Sequence, residues 1–266
     1  MQTEVSETAT VDDAVLAADS VRKTFGEIVA VDDCSFEIER GSITGLIGPN
    51  GAGKSTMFDC ISGFYQPDAG TIRFDGTDIT GLPAHKIAHE GLVRTFQITR
   101  DLAEMTVMEN MMLTPKNQTG ESMFHAVFNR DTIERENAEI QRDAEKLLEL
   151  FQLDHVRQEY AGNLSGGQRK LLEMARMLML EPEAMLLDEP MAGVNPTLEN
   201  DIVERIEELN RQEGVTFVIV EHDMDLVMDL CDRIIVMNEG RDLAAGTPAE
   251  IQNDERVLEA YLGGDS

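Results

Sequence analysis

The run GPNGAGKS at 48–55 constrains this chain more than any other stretch. It lies between SITGLI at 42–47, a short apolar, β-leaning run, and a helix-compatible stretch that follows Ser55. Gly48, Gly51 and Gly53 free the backbone to curl, so that successive N–H groups face phosphate oxygens. The helix that opens there adds its positive N-terminal end. Lys54 is expected to reach the β- and γ-phosphates of a nucleotide, and the Ser55 hydroxyl to ligate Mg²⁺. Pro49, Asn50, Ala52 and Thr56 belong to the same nucleotide-binding stretch. A strand, a glycine loop and a helix in this order require an α/β fold with the ligand at a strand's carboxyl end.

With 266 residues the chain has ample length for a buried core. No apolar run approaches the roughly 18 residues of a membrane span. The first twenty residues carry Glu4, Glu7, Asp12, Asp13 and Asp19 without Lys or Arg, unlike a signal peptide, so a cytoplasmic location is expected. Cys34, Cys60 and Cys231 are odd in number and unclustered, as buried small hydrophobes would be. The five His are scattered and show no metal-ligand spacing. Net charge is −29, and only six of the 22 basic residues are Lys. Such a surface repels nucleic acid and anionic lipid, so no nucleic-acid partner is expected. It also fits a chain adapted to high salt, where screening removes the self-repulsion.

Residues 1–19 read as an acidic tail without periodicity, and 20–266 as the folded domain. SFEIE at 35–39 and TIRFDG at 71–76 alternate like strands. From about 98 to 164 the chain is charged and helical, as an inserted helical subdomain would be. The α/β pattern then resumes with a helix near Gly167, AMLLDE as a buried strand, a helix over 197–213 and VTFVIVE as another buried strand. RIIVMNEGRDLAAG closes as a hairpin turning at 238–240, and Thr247, Pro248 and Glu250 mark a capped C-terminal helix. Strands alternating with helices imply a mainly parallel, helix-covered sheet.

AMLLDE places Asp188 and Glu189 where the carboxyl edge of a parallel sheet meets its ligand. Asp188 is positioned to hold Mg²⁺ through water, and Glu189 to polarise the attacking water as general base. His222 follows VTFVIVE directly, at the same sheet edge, and can hydrogen-bond the γ-phosphate or the catalytic water. Gln97 lies where the core yields to the insertion, in reach of Mg²⁺ or water. LSGGQ, comprising Leu164, Ser165, Gly166, Gly167 and Gln168, precedes QRKLLEMARMLML and so forms a helix N-terminus with exposed amides, a second anion site. Helix capping by Ser165 explains one of these residues but not the glycine pair.

Taken together, these motifs resemble the nucleotide-binding subunit of ATP-binding cassette (ABC) transporters over nearly the whole chain after residue 20. That resemblance implies a P-loop NTPase core with a mainly parallel sheet, an antiparallel β subdomain and an inserted helical subdomain. It implies that Phe25, in KTFG, stacks on adenine, that Gln97 matches the family's Q-loop glutamine, and that His222 matches its switch histidine. Ser165 and Gly167 resemble residues that contact the γ-phosphate held by a partner subunit. The implied machine is a head-to-tail dimer with two ATP molecules at its interface. Its motion passes to integral-membrane permease subunits, so the chain is expected on the inner face of the cell membrane.

Narrower features, ISGFYQPDAGTIRFDG, VRTFQ, MTVMEN, AGVNP and IQNDERVLEAYLG, are similar to the ATPases of branched-chain amino-acid uptake systems. Those pair with a second ATPase and draw solute indirectly from a solute-binding protein. Asn195 stands where many wider-family members have Asp, as in that group. Two alternatives stay open: a soluble cassette ATPase without a transport role, and the ATPase of an exporter or lipid transporter. Met105, Met108, Met111 and Met112 are candidates to line the groove where a permease docks.

Overall fold

The computed structural model describes residues 14–95, 102–114 and 130–262. Two sheets divide the strands. The antiparallel sheet has β1 (Ala14–Phe25), β2 (Ile28–Glu39), β4 (Ala69–Phe74) and β5 (Thr77–Asp78) in the order β2-β1-β4-β5. The other runs β10-β9-β3-β8-β7-β6, from β3 (Ile43–Ile47), β6 (Leu92–Arg94), β7 (Ala184–Asp188), β8 (Thr216–Val220), β9 (Arg233–Asn238) and β10 (Arg241–Gly246). Its strands are parallel except for β10, which returns antiparallel along β9 as the expected hairpin.

The parallel strands read as unbroken apolar runs because both faces are covered. Along β7, Met185 and Leu187 enter one core while Ala184 and Leu186 enter the other, and in β8 Phe217 and Ile219 oppose Val218 and Val220 in the same way. This alternation is the period-two pleat applied to a sheet buried on both sides. The antiparallel sheet, α1 (Lys54–Ile61) and Ile87 of α2 (Ala84–Glu90) cover one face. The other face receives α5 (Gly166–Leu178), α6 (Pro196–Glu213) and α7 (Met224–Leu230).

The sheet begins earlier than the expected tail boundary at residue 19. β1 starts at Ala14, and Leu16, Ala17 and Ala18 pair with both β2 and β4. Val15, Leu16 and Ala18 are buried, so a short apolar run hidden among acidic neighbours carries the first strand.

Between Leu102 and Leu164 the described residues form α3 (Val107–Met112) and α4 (Arg130–Leu150), with two short 3₁₀ turns. A Thr106–Glu109 capping box starts α3. Buried Asn110 ties that segment together by donating from Nδ2 to the carbonyls of Leu102, Met105 and Thr106. Met108 and Met111 are buried in the core this helix shares with α4 and α5, so they fill space rather than line a docking groove. Beyond β10, the Thr247–Glu250 box with Pro248 at the first helical position opens α8 (Pro248–Gln252), and α9 (Glu255–Leu262) ends the described chain.

Candidate nucleotide site

Four parallel strands deliver the site. β3 runs into the glycine loop, β7 ends at Asp188, β8 leads to Glu221 and His222, and β6 ends at Arg94. Since β3, β8 and β7 are adjacent, residues far apart in sequence meet at one carboxyl edge.

The loop's glycines are demanded by the backbone. Gly48 and Gly53 adopt φ of 148° and 98°. A Cβ on Gly48 would stand 2.0 Å from the Met237 carbonyl oxygen, and one on Gly53 would stand 2.3 Å from that of Ala30. No side chain caps α1, so no side-chain oxygen occupies the amides of its first turn. Lys54 is buried and its ammonium donates to the carbonyls of Gly48 at 2.7 Å and Pro49 at 3.1 Å. Burial lowers its pKa, and the Glu189 and Asp188 carboxylates oppose that shift.

A cavity of about 420 Å³ opens over this loop, walled by Ala30, Asn50 to Thr56, Glu189, Val220 and His222. At its edge the Glu189 carboxylate and His222 Nε2 are 3.0 Å apart. Glu189 has the left-handed φ of 49°, uncommon for a residue with a side chain, and its N–H donates to the Val220 carbonyl. The two sequence-selected residues are thus a contacting pair above the phosphate loop.

Asp188 is differently placed. Its carboxylate accepts from Arg94 at 2.6 Å, while the same guanidinium donates to Asp59 of α1 at 2.5 Å and lies over the Phe58 ring. Ser55 and Asp188 are hard oxygen donors, as Mg²⁺ requires. Among the described residues no group of three or more His, Cys, Asp or Glu gathers that could hold a metal ion. Gln97 lies outside the described residues.

Phe25, at the end of β1, keeps 42% of its surface exposed and meets Tyr65 edge-on with ring centroids 5.1 Å apart. It stands outside the cavity walls, where Ile28 and Val29 sit instead.

Distinct physics governs 164–168. Leu164 is buried, and Ser165 caps α5 by accepting from the Gln168 N–H at 3.2 Å, while Gln168 Oε1 accepts from the Ser165 N–H at 3.0 Å. A Cβ on Gly167 would meet the tip of Leu198 at 1.8 Å, whereas one on Gly166 would meet nothing within 4 Å. Close packing on α6 accounts for Gly167, and only Gly166 is left facing open space. Asn195 caps α6 by accepting from the Leu198 N–H at 3.0 Å.

Three participants are absent from the sequence reading: Arg94, Lys170 and Glu221. Lys170 donates to the carbonyls of Glu189, Pro190 and Ala192, and buried Glu221 accepts from the N–H groups of Met191 and His222. One signal existed, since Lys170 is one of six lysines in an arginine-biased chain and directly follows LSGGQR. The three cysteines are free and buried, and burial pushes the thiols of Cys34 and Cys231 up to about 12 and that of Cys60 to about 11.

Comparison with known proteins agrees with this geometry. A family model described as "ABC transporter" matches residues 31–192, and one described as "Branched-chain amino acid ATP-binding cassette transporter" matches 243–266. The chain is 45% identical to a probable branched-chain amino acid transport ATP-binding protein, LivG, of Archaeoglobus fulgidus, covering 94% of this chain and 95% of that one. It is 41% identical to the high-affinity branched-chain amino acid transport ATP-binding protein BraF of Pseudomonas aeruginosa, covering 94% and 98%. Among solved structures, a nucleotide-free ATP-binding cassette from an ABC transporter superposes with a TM-score of 0.80 at 39% identity, over 93% of this chain and 98% of that one. The ADP conformation of such a cassette gives 0.79 at 38% identity, over 94% and 99%. With the first family model spanning more than half of its length, the chain belongs to the ATP-binding cassettes of ABC transporters.

Proposed function

We propose that this chain is the ATP-hydrolysing subunit of an ABC importer for branched-chain amino acids or related polar solutes, and that it energises transport through a membrane permease. The observation that carries the enzymatic half is the Glu189–His222 pair, 3.0 Å apart at the edge of the phosphate-loop cavity. In this reading Glu189 takes a proton from the attacking water, and His222 orients the carboxylate and the γ-phosphate. The loop amides and Lys54 hold the phosphates. Ser55, Asp188 through water and Gln97 would hold Mg²⁺, which would supply charge neutralisation on the phosphates. Phe25 offers its exposed ring to adenine. The 164–168 loop faces the nucleotide of a partner ATPase in a head-to-tail dimer, with Ser165 and Gly166 towards it and with Leu164 and Gly167 packed within their own chain.

The C-terminal match over 243–266 and the names of the relatives support amino-acid import as the transport role. No helix among the described residues is long and apolar enough to cross a membrane, so the reading places the chain peripherally, on permease subunits at the cytoplasmic face. A native pull-down from source membranes at molar salt tests it. Recovery of hydrophobic permeases, a second ATPase and a solute-binding protein is the expected result, and recovery of soluble partners alone overturns the transport role. The charge of −29 further supports adaptation to high salt. A melting temperature that rises along a salt series is expected, and a maximum in dilute buffer refutes the adaptation.

A further inference from the structure

Lys170 stands one turn inside α5, on the helix whose N-terminus carries Ser165, Gly166 and Gly167. Its ammonium has three protons, and three backbone carbonyls receive them: Glu189 at 3.1 Å, Pro190 at 3.0 Å and Ala192 at 2.6 Å. These oxygens converge because the chain turns sharply there, with the Ala192 N–H donating back to the Glu189 carbonyl at 3.1 Å. Glu189 itself holds a left-handed φ of 49°, a conformation that a non-glycine residue keeps only where its surroundings impose it.

Opposite Lys170, Glu221 grips the same turn. One of its oxygens accepts from the Met191 N–H at 2.8 Å and the other from the His222 N–H at 3.3 Å. The turn bearing Glu189 is therefore clamped between a cation on its carbonyls and a carboxylate on its amide. Burial lowers the pKa of Lys170 and raises that of Glu221, and each charge opposes the other's shift. A lysine spent on backbone oxygens fixes a main-chain path, and the position of the Glu189 side chain follows from that path.

We propose that Lys170 is a positioning residue that couples the 164–168 loop to the Glu189 carboxylate, so that seating the N-terminus of α5 against a partner's nucleotide sets the Glu189–His222 pair of the same chain. The link is mechanical. Five residues of one helix, roughly 7.5 Å, separate Ser165 from Lys170, and a rigid helix carries a shift at one end to the other. This inference rests on Glu189 being the base.

The test uses the full chain with the subunits that co-purify with it, comparing Lys170→Met, Lys170→Arg and Gly166→Ala. Lys170→Met is expected to lower kcat about tenfold or more with KM and ATP affinity within about threefold of wild type. Lys170→Arg, which keeps a partly buried cation with several donors, is expected to recover most of that loss. Combining Lys170→Met with Gly166→Ala should cost less than the product of the single effects, since both cut one link. Unchanged kcat in Lys170→Met, or effects that simply multiply, overturns the coupling. Should Lys170→Met fail to fold, Lys170→Gln retains an amide donor and is read by the same criteria. Glu189→Gln run in parallel separates the two claims. If it turns over ATP like wild type, the assignment of the base has failed; if it is inactive while Lys170→Met is fully active, only the coupling has failed.

Discussion

Helices α1 and α5 both begin beside glycine pairs and both are read as phosphate-facing, yet they are built differently. At α1 the glycines are compulsory: φ values of 148° and 98° and carbonyls 2.0 and 2.3 Å from any added Cβ leave Gly48 and Gly53 no substitute. No side chain caps the helix, whereas the start of α5 is capped. At α5 the start is that of an ordinary helix, closed by the reciprocal Ser165–Gln168 box, and a Cβ on Gly166 would meet nothing within 4 Å among the described residues. The first site is complete within one molecule. The second leaves open space at Gly166, the space that the proposed head-to-tail dimer would fill.

Substitutions can break this contrast at its strongest point. Gly48→Ala is expected to abolish nucleotide binding and to cost about 3 kcal/mol or more of stability, since backbone must move to clear the Cβ. Fluorescent-nucleotide titration and thermal melting read both effects, and a stable, ATP-binding variant would mean the loop is more pliable than its geometry implies. Next in size, Glu189→Gln should keep ATP affinity and lower turnover about 10²- to 10⁴-fold, the range of general-base catalysis. Gel filtration with ATP should show a persistent dimer, and near-normal turnover would remove Glu189 from the base's role.

Lys54→Ala should act on binding itself, weakening nucleotide affinity about 10- to 100-fold as a charge-assisted contact is lost. If calorimetry finds affinity unchanged while kcat falls, Lys54 serves the transition state instead. Gly166→Ala sharpens the contrast from the other side. With open space around it, stability should stay within about 0.5 kcal/mol and ATP binding should be normal, while turnover of the assembled dimer falls. Normal turnover would show that the space at Gly166 is unused.

An effect on stability alone concerns the rear of α5, where burial raises the Glu173 carboxyl to about 7 against the charges of Arg176 and Lys170. Its folded pKa exceeds the unfolded value, so the native state binds the extra proton between roughly pH 4.5 and 7, and stability falls as pH rises through that window. Glu173→Gln should flatten the decline of stability from about pH 5 to 8, by no more than about 3 kcal/mol at the upper end, as thermal melting along a pH series reads it. Parallel pH profiles of variant and wild type would show that Glu173 titrates normally.

Much of the architecture was legible. The apolar runs of β7 and β8, the hairpin at β9 and β10 and the Thr247 cap stand where their patterns place them. Where reading failed, burial was the missing quantity. The acidic composition of the first residues concealed that Val15 and Leu16 are core, and the methionines at 108 and 111, plausible as a docking stripe, are enclosed by α4 and α5. Gly167 is expected beside a ligand, and its packing on Leu198 of another helix is a second demand for glycine that no local pattern carries.

The sequence by itself determined the strand–glycine loop–helix unit, the carboxylates after β7 and the histidine after β8. These are local demands, since a positive φ, a helix cap and an alternating strand are each written in consecutive residues. Tertiary structure alone decided which charges meet. Arg94 bridges Asp59 and Asp188, Lys170 closes on the carbonyls behind Glu189, and Glu221 holds Met191 across 30 positions of chain. A buried ammonium or carboxylate takes whatever partners the packed elements bring within reach, and no short window of sequence contains both halves of such a pair.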